Sequence, residues 1–147
     1  MDEHIQNFID SRYLAIAGVS RSKMKFGSMA YRTLKKKGYH LYPVNPALDA
    51  IDGDQCYRDI SELPVEVDAL LITVAPDKAE QIIERLDGKR FKRVWFQQGA
   101  DFSNAANKAR EKGMAVVTDR CILMYAAPVR GIHAVHRFFA KLFGKYR

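Results

Sequence analysis

Strand-length apolar runs alternating with helix-spaced segments predict an α/β chain built on a doubly wound parallel sheet. Two observations carry this. Five short runs are almost continuously apolar rather than alternating, as strands covered on both faces are. The segments between them carry helical periodicity or helix-end signals. No internal repeat, low-complexity tract or Pro/Ser/Gly linker divides the chain, so residues 1–147 are read as a single domain.

The first run, Tyr13 to Val19 (YLAIAGV), leads through a loop ending at Gly27 into a helix over 28–37 that Gly38 closes. The second, Tyr39 to Val44, runs into Asn45 and Pro46. The third, Ala69 to Val74, precedes the clearest helix, 77–86, in which Ala79, Ile82, Ile83 and Leu86 form one stripe. The fourth, Arg93 to Phe96, is followed by Gln97-Gln98-Gly99-Ala100 and a helix over 104–112, with Ser103 as N-cap and Gly113 as stop. The fifth is Met114 to Val117. Strand–helix–strand units repeated in this way build right-handed crossovers. The expectation is a Rossmann-like sheet with helices on both faces and five strands in the order 3-2-1-4-5.

Toward the end, Ile132, Val135, Phe139 and Leu142 or Phe143 follow helical spacing, while His133, Arg137, Lys141 and Lys145 follow the opposite rows. This predicts a basic amphipathic helix over about 131–143. Core docking is its first reading, self-association as a homodimer the second, and contact with anionic lipid or nucleic acid the third. No DNA- or RNA-reading motif supports the last.

The formal net charge of +7, from 24 Lys+Arg against 17 Asp+Glu, favours an anionic partner. Acidic residues precede any apolar run at the start, and no window approaches the ~18 apolar residues of a membrane span. A cytoplasmic chain with no membrane span is expected. Cys56 and Cys121 lack zinc-site spacing and read as reduced thiols.

In open sheets of this class, ligands bind beyond the carboxyl ends of the strands where the strand order reverses. The loop expected there is Gly18-Val19-Ser20-Arg21-Ser22-Lys23-Met24-Lys25-Phe26-Gly27. A glycine at the strand end permits a tight turn. Ser20 and Ser22 offer hydroxyls, Arg21, Lys23 and Lys25 offer charge, and the next helix offers free N–H groups. The reading is a phosphate cradle, with an ordinary solvated basic loop as its competitor. Neither the G-x-G-x-x-G nor the G-x-x-x-x-G-K-[ST] pattern occurs, and the second strand ends without the acid that holds an NAD ribose. Val74, Ala75 and Pro76 form a small, stiff turn suited to walling an adenine ring, and Gln98 and Gly99 face the same crevice.

Catalytic candidates are thin. Cys121 follows Asp119 and Arg120, and a nearby arginine lowers a thiol pKa, so it is the candidate reactive thiol; a packing role is the competing reading. His133 and His136 have no carboxylate or cysteine at ligand spacing, and no metal site is expected.

Taken in order, Gly18-Val-Ser-Arg21, Pro43-Val-Asn-Pro46, Gly53 to Tyr57 (GDQCY), Ala75-Pro76, Trp95-Phe-Gln-Gln-Gly99 and Asp119-Arg-Cys121 resemble the coenzyme A-binding domain family. These are stand-alone proteins similar to the N-terminal domain of the succinyl-CoA synthetase α subunit. The resemblance covers roughly residues 13–123. It implies a Rossmann-like fold and coenzyme A as ligand. Gly18, Val19, Ser20, Arg21 and Lys25 would lie near phosphate, Asn45 and Pro46 along the crevice, Val74, Ala75 and Pro76 near the adenosine, and Gln98 and Gly99 further along. The synthetase subunit continues into a domain with a phosphorylatable histidine, and none of His4, His40, His133 and His136 lies in such a loop. The expected function is therefore non-catalytic or regulatory binding of coenzyme A or an acyl-CoA. The alternatives are an NADP-type oxidoreductase using basic residues in place of the missing acid, and an adaptor for nucleic acid or membrane.

Overall fold

A computed structural model describes residues 2–11 and 13–126; the basic helix expected over about 131–143, with His133 and His136, lies outside the described residues. The chain order is α1 (Glu3–Ile9), β1 (Tyr13–Ala17), α2 (Phe26–Lys36), β2 (His40–Val44), β3 (Ala50–Ile51), β4 (Asp54–Gln55), a 3₁₀ turn (Ile60–Glu62), β5 (Ala69–Ile72), α3 (Pro76–Arg85), β6 (Arg93–Gln97), α4 (Ser103–Glu111), β7 (Ala115–Arg120) and α5 (Ile122–Tyr125). The five long strands form one parallel sheet in the order β2-β1-β5-β6-β7, and β3 and β4 make a separate antiparallel pair. No helix among the described residues is long and apolar enough to cross a membrane.

The α/β class and the five parallel strands match the expectation, but the order does not. Counting the long strands alone, it is 2-1-3-4-5 rather than 3-2-1-4-5. The reason lies in two strands. β2 contains Pro43, which has no N–H for a ladder and so belongs on an edge. β5 is Ala-Leu-Leu-Ile, buried at every position, which suits the interior place beside β1.

Side-chain alternation divides the core between the two faces. Leu14, Ile16, Ala69, Leu71 and Trp95 pack with Ile5 and Phe8 of α1, Ala30, Tyr31 and Leu34 of α2, and Tyr125 of α5. Ala15, Ala17, Leu70, Ile72, Val94 and Phe96 pack on the other face with Ala79 and Ile83 of α3 and Ala105, Ala106 and Ala109 of α4. Thus α2 and α3 lie on opposite faces.

Helix starts fall one or two residues earlier than expected. In α4 the expected N-cap, Ser103, is already helical; Phe102 holds the N-cap position, and Asp101 before it accepts from Ser103 N–H at 2.9 Å. The short α1 has too few periods to be read from sequence, although Asp2 caps it by accepting from His4 N–H at 2.7 Å.

Candidate ligand site

Because β1 sits between β2 and β5, the loops after β1 and β5 leave toward opposite faces and open a crevice at the carboxyl edge of the sheet. β1 and β5 stay joined at that point: Thr73 N–H donates to Ala17 O at 2.9 Å, and its hydroxyl donates to the same oxygen at 2.6 Å. Gly18 then turns with φ of +117°, where a Cβ would overlap the Thr73 hydroxyl. Gly27 allows the first turn of α2 to press against the Gly18 carbonyl and the Thr73 hydroxyl. The helix start is thereby drawn close to the strand end.

The loop between them is internally bonded. Ser28, buried, accepts from Ser20 N–H at 3.2 Å and donates to Ser20 O at 2.9 Å. The Ser20 hydroxyl in turn accepts from Ser22 N–H at 3.2 Å. At the start of α2, Lys25 is the N-cap and makes no side-chain capping bond, and the first turn holds no acidic residue. The first N–H groups of α2 are therefore uncapped by any side chain, and the positive end of the helix dipole faces no competing carboxylate of its own.

Gly18, Val19, Ser20, Lys25, Asn45, Pro46 and Val74 all border one cavity of about 530 Å³, within the range of small-molecule sites. Asn45 both lines this space and ties it together. Its amide nitrogen donates to Val19 O at 2.9 Å, and its carbonyl accepts from Ala47 N–H at 2.8 Å. Arg21 is exposed and is not among the residues lining this cavity. Val74 also borders a second, more open space of about 810 Å³, which brings together Ala75, Pro76, Gln98, Gly99 and Cys121 with Phe26, Phe102 and Gln97. The expected site residues are thus divided between two adjoining chambers.

Four charged residues of the first chamber went unnoticed in the sequence: Arg58, Asp59, Lys78 and Arg85. Arg58 and Asp59 arrive because Tyr57 bridges Val44 in parallel, its N–H donating to Pro43 O at 2.8 Å and its carbonyl accepting from Asn45 N–H at 2.9 Å. The GDQCY segment had marked this stretch without revealing the bridge. Arg58 pairs with Asp49 at 2.7 Å, and Arg85 with Asp59 at 2.6 Å. Hydrogen bonds from Ser61, helped by the Arg85 guanidinium, hold the Asp59 carboxyl below its ordinary range. Lys78 and Arg85 belong to a stripe of α3, Lys78, Gln81, Ile82 and Arg85, that turns toward the cavity. Ile82, expected in the core stripe, is only partly buried and lines this wall instead.

The thiols differ. Cys56 is buried, and burial pushes its thiol above the ordinary range. Cys121 is partly exposed and borders the second chamber. The Arg120 guanidinium donates to Asp119 O at 3.1 Å and borders a separate hollow beside α1.

Comparison with known proteins agrees with this geometry. A family model described as CoA binding domain matches residues 12–127. The uncharacterized protein YneT of Bacillus subtilis is 28% identical over 116 residues, covering 76% of this chain and 83% of that protein. The α subunit of ADP-forming acetate–CoA ligase II from Pyrococcus furiosus is 27% identical over 126 residues; the match covers 78% of this chain but only 28% of the subunit. Among solved structures, a conserved hypothetical protein from Pyrococcus furiosus superposes with a TM-score of 0.72 at 34% identity, covering 76% of this chain and 97% of that one. The chain belongs to the CoA-binding domain family.

Proposed function

We propose that this protein is a cytoplasmic chain with a non-catalytic or regulatory role as a binder of coenzyme A or an acyl-CoA. The observation that carries this reading is the start of α2: its N-cap, Lys25, borders a nucleotide-sized cavity together with the Gly18–Ser20 turn, and no acid stands in the first turn of the helix. The diphosphate bridge is assigned to Gly18, Val19, Ser20 and Lys25, with Arg21 outside the cavity wall. Asn45 and Pro46 wall the crevice, and Val74, Ala75 and Pro76 flank the adenosine. Because Val74 borders both chambers, the pantetheine arm is assigned to the second, past Gln98 and Gly99 toward Cys121.

Among the described residues, no pair lining the cavity joins a nucleophile to a base, which favours binding over turnover. Asp59, the carboxylate nearest in kind to an NAD ribose acceptor, is already engaged by Arg85 and Ser61. Thermal shift with coenzyme A, acetyl-CoA, NAD, NADP and ATP tests the proposal. A ligand present at ~100 times its dissociation constant adds about 2.7 kcal/mol of stability. Stabilisation by coenzyme A or acetyl-CoA is expected. Stabilisation by NADP with none from coenzyme A would replace this reading with the oxidoreductase one.

A further inference from the structure

We propose that the first chamber contains two anion subsites, one from each face of the sheet, and that Lys78, seconded by Arg85, selects ligands bearing a phosphate on the adenosine ribose. The inference rests on the coenzyme A reading and specifies which part of the ligand the second subsite takes.

The cations of the chamber come from opposite sides. Lys25 stands at the start of α2, which packs on one face, and Lys78 and Arg85 stand on α3, which packs on the other. Neither Lys25 nor Lys78 makes an ion pair among the described residues. Lys78, Gln81, Ile82 and Arg85 share one helical stripe, and no acidic residue interrupts it. Of the three acids of the helix, Asp77 is exposed in the first turn and does not line the cavity, and Glu80 and Glu84 are both drawn to Lys108 of α4. That arrangement sorts the charges of α3 beyond its first turn, with Glu80 and Glu84 toward α4 and Lys78 and Arg85 toward the cavity.

A diphosphate bridge at the start of α2 is answered by the helix N–H groups and Lys25. A ligand ending in a plain ribose would leave Lys78 facing no anion. Coenzyme A carries a separate phosphomonoester on its ribose, with two acidic protons and strong acceptor oxygens. A lysine point charge needs no particular geometry to meet it. Arg85 is mostly exposed, and its pair with Asp59 holds it at the rim, where exposed pairs are weak enough to be shared with an incoming phosphate.

Calorimetric titration of the full chain with coenzyme A and with dephospho-coenzyme A, which lacks only the ribose phosphate, tests this. The wild type should bind coenzyme A about tenfold or more tightly than the dephospho form, the scale of one charge-assisted contact. Lys78→Ala should bring the ratio close to one and leave dephospho-coenzyme A affinity unchanged. Lys25→Ala should weaken both ligands alike. Titration with 3′,5′-ADP and 2′,5′-ADP reads the ribose position, and the 3′ isomer should win. Equal wild-type affinity for the two coenzyme forms, or an equal loss of both in Lys78→Ala, overturns this inference while leaving the coenzyme A reading intact. Silence from both overturns the two together.

Discussion

Replacing Gly27 by alanine should destabilise the protein, reversing the usual effect of that exchange in a helix. Alanine ordinarily gains up to about 1 kcal/mol over glycine in a helix interior. Here a Cβ at Gly27 would lie 2.6 Å from the Thr73 hydroxyl and closer still to the Gly18 carbonyl oxygen. Neither neighbour yields easily, since one is backbone at a strand end and the other donates to Ala17 O at 2.6 Å. Overpacking of this kind costs about 1–3 kcal/mol, and disturbing the Thr73 bond costs about 1 kcal/mol more. Setting the helix gain against these leaves a net loss of about 2 kcal/mol, or about 8 °C in Tm for a chain of this size. Circular-dichroism melts measure it, and Thr73→Ala in the same background should recover part of the loss because the two sites share one contact. A Gly27→Ala protein melting at or above the wild-type temperature would refute the close approach of α2 to β1.

Asn45→Ala removes the donor that joins the β2 loop to Val19 O of the β1 loop and the acceptor that holds its own turn at Ala47, and should cost about 1–3 kcal/mol in urea unfolding; an unchanged midpoint would contradict the stapling role. Lys25→Ala should weaken coenzyme A several-fold, whereas Arg21→Ala, outside the cavity wall, should change affinity little; the reverse ranking in calorimetry would move the phosphate site. Iodoacetamide at neutral pH should label Cys121 well before Cys56, whose thiol burial holds protonated, and peptide mass spectrometry reads the order. Asp54 is held below its ordinary pKa by hydrogen bonds from Lys35 and Tyr31, and Asp49 by Arg58. Their stabilising contribution is complete above the unfolded carboxyl value and is lost as pH falls through the lower folded value. Stability should therefore decline below about pH 4, and Asp54→Asn should flatten that decline; an unaltered acid profile would contradict it.

What the sequence revealed follows from which constraints are local. The buried runs of β1, β5 and β6 are continuous because both faces are covered, so class and strand number could be read directly. The strand order required weighing Pro43 as an edge signal, a pairing property rather than a periodicity. Within the site, the Gly18 turn and the basic loop announce themselves by composition. Arg58 does not, because it reaches the cavity only through the bridge of Tyr57 to Val44. Lys78 and Arg85 were hidden differently. On a surface helix, cations at helical spacing look like any solvated stripe until α3 is placed against the crevice. Asn45 was noticed for its position, but its bond to Val19 O emerges only when the β1 and β2 loops are brought together.

The central claim, that coenzyme A sits with its diphosphate at the start of α2, is tested most directly by following backbone amide resonances during titration with coenzyme A. The account predicts saturable shifts largest at Gly18, Ser20, Gly27 and Ser28, extending to Asn45, Val74 and Lys78 and sparing the amides of α4. Saturable binding with the largest shifts along α4 or the outer edge of β7, and none at the start of α2, would contradict it.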